Sequence, residues 1–151
     1  MMNVLVIGGN GFIESHLVDS LLAKGAIAVF LGQIARNESI KIWGKGEVIR
    51  DYVYVQDVVV GIYKAATTTT VSRIFNMGSG IGCSLNDIIH TIKIELKIDF
   101  NVQYLPARPF DVPRICLDCG RAKRELSWKT DTTMFTGIKR TWEFVKSMYD
   151  V

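Results

Sequence analysis

No stretch of this chain approaches the about 18 uncharged apolar residues that a membrane span requires, and no basic segment precedes its first apolar run. The expectation is a cytoplasmic protein with neither a membrane span nor a secretory signal. Charge of one sign is scarce as well: 18 Lys and Arg against 15 Asp and Glu leave +3, too small an excess to point to nucleic acid. The one basic cluster, Arg121, Lys123 and Arg124, recurs at helical spacing without interleaved aromatics, and so reads as a solvated helix face. Cysteine is limited to Cys83, Cys116 and Cys119, expected to be reduced in that compartment. Cys116-Leu-Asp-Cys119 has C-x-x-C spacing, but structural zinc takes about four ligands, and only Cys83, His16 and His90 remain as candidates. In extended chain, residues three apart point to opposite faces, so neither metal nor redox chemistry is expected there. Internal repeats and a separate linker are missing too.

What remains, 151 residues with 48% hydrophobic and 22% charged, is the composition of one soluble globular domain, burying about 70% of its unfolded surface. The run from Val4 to Ile7 has strand composition and enters a turn of Gly8, Gly9, Asn10 and Gly11. An amphipathic helix follows, with Ile13, Leu17 and Leu21 on one face, Val18 and Leu22 beside them, and Gly25 as its stop after Lys24. A strand, a glycine turn and a helix form the opening of a nucleotide-binding α/β unit. Glycines let the backbone approach a pyrophosphate, whose charge sits on the free N–H groups of the helix N-terminus. The spacing places Gly8, Gly11 and then Glu14 at the three glycine positions. A carboxylate there adds bulk and a like charge facing an anion. Both a dinucleotide turn and an ordinary strand–turn–helix that binds nothing fit these residues.

Further along, Ala26–Leu31 has the composition of a second, buried parallel strand. It ends in Leu31-Gly32-Gln33, without the acid that bonds an adenosine ribose at that point. Ile34–Ser39 has no clear period. Strands are expected over Ile40–Trp43, closed by Gly44-Lys-Gly46, then over Arg50–Val55, Arg73–Met77 and Phe100–Leu105. Asp57 is expected to cap a helix over Val58–Ala66. Thr67–Thr70 reads as a surface loop, and Ser84-Leu-Asn-Asp87 as a capping box opening a helix with Ile88, Ile92 and Leu96 on one face. His90 in that helix reads as packed or solvent-exposed. Pro106, Pro109 and Pro113 stiffen a loop carrying Arg108 and Asp111, and a last helix, Thr133–Met148, turns Ile138, Trp142 and Val145 inward. Alternating strands and helices make the class α/β.

Two blocks of motifs carry a resemblance. The first is Gly8-Gly-Asn-Gly-Phe-Ile-Glu-Ser-His-Leu-Val-Asp-Ser-Leu-Leu-Ala-Lys-Gly25. The second runs from about Ile40 onward and includes Arg50-Asp-Tyr-Val-Tyr-Val-Gln-Asp57, Phe75-Asn-Met-Gly-Ser-Gly80, Arg108-Pro-Phe-Asp111 and Arg124-Glu-Leu-Ser-Trp128. Together they resemble the extended short-chain dehydrogenase/reductases, specifically the NAD-dependent nucleotide-sugar epimerase/dehydratase family of the UDP-glucose 4-epimerase type. The resemblance implies a truncated Rossmann-like unit (first strand, helix, strand; residues 1–33) joined to the C-terminal, nucleotide-sugar-binding part (residues 34–151), the two forming one compact folding unit. Family members are considerably longer, and the resemblance places a large internal deletion between about Gly32 and Ile34.

By resemblance, the family passes hydride from a sugar C–OH to NAD while a tyrosinate takes the hydroxyl proton, helped by a lysine four residues on. Here the residues four after Tyr52, Tyr54, Tyr63 and Tyr104 are Gln56, Val58, Thr67 and Arg108. No catalytic residue is assigned, and the chain alone is expected to be inactive. The resemblance makes NAD the cofactor, at Gly8, Gly11, Phe12 and Ile13. It makes UDP or a UDP-sugar the other ligand: Arg50 and Arg108 on the diphosphate, Asp111 on the ribose hydroxyls, Lys41 and Trp43 against the uracil. The alternatives are an epimerase completed by another chain and a non-catalytic partner of an intact relative. Missing sheet strands would leave open edges, so a homo-oligomer is expected, with no nucleic-acid or membrane partner.

Overall fold

The computed structural model describes residues 5–6 and 26–149. Strand β1 (Leu5–Val6) falls inside the expected first strand and pairs in parallel with β4 (Ile74–Phe75). The glycine turn, Glu14 and the helix that follows lie outside the described residues.

The first correction concerns Ala26–Leu31, which is not a strand. It opens helix α1 (Ala26–Ala35). An apolar run this short fits either element, and the arbiter is spacing over a longer window. Phe30, Leu31 and Ile34 are buried and Ile27 packs beside them, a helical i, i+3, i+4, i+7 stripe. Gly32 does not break the helix because it is where α1 meets α5 (Met134–Tyr149). A Cβ there would lie 3.4 Å from Arg36 Nη1 and 3.8 Å from Tyr149 Oη. Arg36 closes the junction, donating to Glu38 through Nε (2.9 Å) and Nη2 (3.0 Å) and to Tyr149 Oη through Nη1 (2.7 Å).

Strand β2 (Ile40–Trp43) forms as expected, with Ile40 and Ile42 buried and Lys41 and Trp43 exposed. It runs parallel to β6 (Val102–Leu105), with Trp43 opposite Leu105. Gly44 and Gly46 end it at φ +77° and +75°. Strand β3 (Ile49–Asp51) is shorter than the expected Arg50–Val55 and pairs antiparallel with β5 (Gly82–Ser84). It stops because helix α2 (Val55–Thr67) starts earlier than expected.

Asp57 is therefore not the cap. It lies in the first turn of α2, buried, while Tyr54 occupies the cap position without a side-chain bond. The Asp57 carboxylate instead accepts from the Thr132 N–H (3.0 Å) and hydroxyl (3.1 Å). The expected strand over Arg73–Met77 contracts to β4. Helix α3 (Leu85–Leu96) carries the expected capping box: Ser84 Oγ accepts from the Asp87 N–H (3.1 Å), and the Asp87 carboxylate accepts from the Ser84 N–H (2.8 Å). Helix α4 (Gly120–Leu126) bears Arg121, Lys123 and Arg124, all exposed.

Two apolar centres organise the chain. The larger joins Phe30, Leu31 and Ile34 of α1, Ile40 and Ile42 of β2, Ile88, Ile89 and Ile92 of α3, and Ile138 and Val145 of α5. Residues 26–35 thus share one core with elements that follow residue 34. The smaller joins Ala65, Phe75, Met77, Ala122, Leu126 and Trp128. Trp128 is fully covered and donates its Nε1–H to the Asp57 carbonyl (2.8 Å), which locks α2 to the chain beyond α4. Burying a side chain of this size stabilises by roughly 2–3 kcal/mol.

Candidate functional site

Strand β2 and the proline loop after β6 bring three of the sequence-predicted residues together. Parallel pairing sets Trp43 beside Leu105, so the chain leaving β6 passes the exposed end of β2, and Ala107 lies over Gly44. Arg108 follows, with its guanidinium carbon 5.5 Å from the centre of the Trp43 ring and 5.4 Å from that of Phe110. Its Nε and Nη2 donate to the two oxygens of Asp111 at 3.0 and 2.9 Å, a fork that fixes the plane of the guanidinium. The backbone closes the same turn, the Asp111 N–H donating to the Arg108 carbonyl at 3.3 Å. The result is a cation held by one carboxylate within reach of two rings, on the surface.

Arg50 reaches this loop from below. Its Nη1 donates to the Ile49 carbonyl (2.7 Å) and the Val112 carbonyl (2.8 Å), so it anchors the loop and spends those protons on backbone. Strand β3 holds the loop further on, with the Ile49 N–H donating to the Pro113 carbonyl and the Ile115 N–H to the Ile49 carbonyl. Lys41 shares the exposed face of β2 with Trp43, and its charge lies near the Glu38 carboxylate rather than on the loop. Of the five predicted substrate residues, Trp43, Arg108 and Asp111 are in contact, Arg50 supports them from beneath, and Lys41 flanks them. Gly8, Gly11, Phe12 and Ile13 lie outside the described residues.

Phe110, which sequence reasoning did not assign, belongs to the cluster. Its signal was only its place between Arg108 and Asp111. Tyr104 also stands at the exposed edge of β6, its hydroxyl donating to Asn86 Oδ1 (3.0 Å), while the Asn86 amide donates to the Lys45 carbonyl (2.9 Å). These bonds tie the turn after β2 to the start of α3.

Asp51 was also missed. Its carboxylate accepts from the Ser79 N–H (2.8 Å) and hydroxyl, the Gly80 N–H (2.9 Å) and the Leu117 N–H (3.2 Å). It fastens the Gly78-Ser-Gly80 turn and the chain before α4 to the end of β3. A Cβ on Gly78 would lie 2.6 Å from Asp51 Oδ2, which explains the glycine there. Asp51 is full, and a ligand would have to displace the turn itself.

A cleft of about 150 Å³ opens elsewhere, between the start of α1, residues 52–55 and the start of α5; Ile27, Tyr52, Tyr54, Met134 and Ile138 line it. Burial there pushes the Tyr52 phenol up to about 12, against a smaller opposing effect of the Arg50 charge. Burial also raises the Cys83 and Cys119 thiols, which keeps them protonated. His90 is exposed on α3. Among the described residues, no group of three or more His, Cys, Asp or Glu is placed to hold a metal ion, and no helix is long and apolar enough to cross a membrane.

For NAD, the described residues do not supply the ribose-binding acid. Gln33 lies within α1 rather than at a strand end, and its Oε1 is buried without a hydrogen-bond partner among the described residues. The missing acid expected at that point therefore belongs to no strand.

Comparison with known proteins places this geometry. The model of the NAD dependent epimerase/dehydratase family matches residues 24–78. UDP-glucose 4-epimerase of Mycolicibacterium smegmatis is 30% identical over 123 residues, covering 82% of this chain and 39% of that protein. The dTDP-4-dehydro-6-deoxyglucose reductase of Escherichia coli is 30% identical over 131 residues, 87% of this chain and 41% of its own length. The crystal structure of UDP-glucose 4-epimerase from Thermotoga maritima with UDP-glucose superposes with a TM-score of 0.76 at 34% identity, over 82% of this chain and 40% of that one. The chain thus spans about two fifths of the length of the relatives it matches. Its mixed α/β fold is that of part of an extended short-chain dehydrogenase/reductase, and the chain belongs to the NAD-dependent epimerase/dehydratase family.

Proposed function

We propose that this chain is a nucleotide-sugar-binding member of the family, taking UDP or a UDP-sugar at the Trp43–Arg108–Asp111 cluster and not turning it over on its own. The cluster is the observation that carries the reading. Arg108 offers a planar, forked donor edge of the kind that matches a diphosphate. The exposed Trp43 ring offers a face for a base, and the Asp111 carboxylate can accept from vicinal hydroxyls. Arg50 acts on this site by holding the Pro109–Pro113 stretch against β3.

Inactivity rests on chemistry. A free tyrosine, with a pKa of about 10, is a poor base at neutral pH. None of Tyr52, Tyr54, Tyr63 and Tyr104 has a lysine four residues on, and burial moves Tyr52 further from usefulness. NAD would meet the chain at Gly8, Gly11, Phe12 and Ile13; with Glu14 at the third glycine position, no binding by the chain alone is proposed and no step is assigned to it.

The division between the two parts of the chain is best placed near residue 25. The family match starts at residue 24, and α1 builds the core of the second part. A homodimer also belongs to the proposal. The β1–β4 pair is short and Ile74 is half exposed on it, an edge that a second copy would cover. Light scattering showing a monodisperse monomer would remove that element.

Calorimetry with UDP and UDP-glucose tests the main reading, up to about 1 mM, where a complex is worth about 4 kcal/mol. Heat with both, and none with NAD alone, is expected. A folded protein giving no heat with either uridine ligand ends the reading.

A further inference from the structure

We propose that Arg108 and Asp111 form a latch, closed without ligand and backed by Phe110, which a diphosphate opens by taking Arg108 from Asp111. The ligand class rests on the nucleotide reading above; the closed state rests on geometry alone.

Three observations point to it. The fork uses Nε and Nη2 of Arg108, so the side-on donor edge, one that would match a diphosphate, is occupied by Asp111 at 2.9–3.0 Å. The pair lies within a single turn closed by its own backbone bond, so it can open without disturbing β2, β3 or β6. Phe110 is 74% exposed, yet its ring stands 5.4 Å from the guanidinium. With Trp43 it puts two aromatic rings within cation–π range of one cation.

The latch couples two recognition events. While closed, the side-on fork of Arg108, Nε with Nη2, and both oxygens of Asp111 are engaged with each other. An anion that takes the fork releases Asp111 at the same moment, and the freed carboxylate is then available to ribose hydroxyls. A nucleoside without phosphates brings nothing that competes for Arg108. Phosphate is the key and the ribose contact follows from it, which makes the site selective for nucleoside diphosphates over nucleosides.

The test uses the full chain in two arms. Proton–nitrogen spectra of the arginine Nε–H groups, without ligand, are expected to show, beside the resonance of Arg36 on Glu38, a slowly exchanging, displaced resonance that Arg108→Lys removes. Asp111→Asn should return that resonance to the position of a free arginine, and Phe110→Gly should speed its exchange. A resonance unchanged by Asp111→Asn overturns the closed state.

The second arm titrates inorganic pyrophosphate, which needs no ribose contact. Asp111→Asn should bind it about threefold more tightly than the unaltered chain, the scale of a half-exposed fork. Glu47→Gln, which removes one exposed charge from the chain between β2 and β3 and leaves the fork itself unaltered, should give a smaller gain. An Asp111→Asn affinity equal to or below that of Glu47→Gln overturns the opening step while leaving UDP binding intact. Failure of the unaltered chain to bind UDP or pyrophosphate overturns the nucleotide reading together with the opening step, and the spectra still decide the fork.

Discussion

Asp51 and Asp111 stand in motifs that look alike on the page, each an aspartate following an arginine closely, and the fold uses them in opposite ways. Asp51 is surrounded by donors from two other segments, three of them backbone N–H groups. Asp111 faces one arginine from its own turn, in a pair whose arginine is 42% and whose aspartate is 19% exposed. Carboxylates satisfied by backbone are architecture, because nothing can take their place without unfolding the segments they hold. A carboxylate satisfied by one exposed side-chain cation is available, since a competing anion can release it. The same contrast separates the two arginines: Arg50 spends Nη1 on carbonyls and acts as a strut, whereas Arg108 holds a pair that can be exchanged.

The sharpest way to break this comparison is Asp51→Ala. It strips acceptors from the Gly78–Gly80 turn and from Leu117 at once, and stability to urea should fall by about 4 kcal/mol. Asp51→Asn keeps one acceptor oxygen and should lose about half as much. If Asp51→Ala is no more damaging than Asp111→Ala, the assignment of the two aspartates to different duties is wrong.

Gly61→Ala probes the floor beneath the architectural side. A Cβ at Gly61 would stand 2.6 Å from Met77 Sδ and 3.0 Å from the Trp128 ring. Met77 can give way, but Trp128 is held by Asp57 through its Nε1–H. Overpacking of this kind costs about 2 kcal/mol, to be read as a lowered urea midpoint at unchanged slope. A neutral result would mean that the smaller core is loose enough to accept the methyl.

Tyr52, next to Asp51, sharpens the comparison through pH. Its phenol pKa is raised in the folded chain, from 10.0 to about 12, chiefly by burial. A raised folded pKa means that the contribution is fully present below pH 10 and is lost as pH rises toward 12. The loss should be on the order of 1–2 kcal/mol after allowing for partial exposure. Tyr52→Phe should flatten stability over that window relative to the unaltered chain. Equal slopes would show the phenol to be solvated.

Much of this was legible in the sequence, and the failures have physical reasons. Ser84 and Asp87 announced their capping box because every partner in it is local. Ile40–Trp43 announced a strand because alternation and two closing glycines agree. Ala26–Leu31 misled because six apolar residues satisfy both periods, and only Ile34, outside the run, reveals the helical stripe. Asp57 misled for a related reason. An acid at the head of a helix is a good cap, yet its partner Thr132 arrives from far along the chain. In the site, the motif resemblance named Trp43, Arg108 and Asp111, which the fold brings into contact, and named Arg50, which it uses from beneath. Phe110 and Asp51 were silent because ring placement and backbone donors are products of the tertiary fold.

The smallest stability effect belongs to Arg108→Ala, and that smallness is its value. The Arg108 side chain is about two fifths exposed, and its fork joins residues three apart in one turn. Such pairs contribute up to about 1 kcal/mol, and their loss touches neither apolar core, so the urea midpoint should barely move. Binding should move far more: removing one charge-assisted contact to a phosphate costs about 1.5–3 kcal/mol, roughly a tenfold to hundredfold loss of UDP affinity. Arg50→Ala should behave in the opposite proportion, since its bonds to Ile49 and Val112 hold the loop to β3. If Arg50→Ala leaves stability untouched but abolishes UDP binding, Arg50 is a ligand and not a strut. The line between available and architectural charges would then run through Asp51 alone.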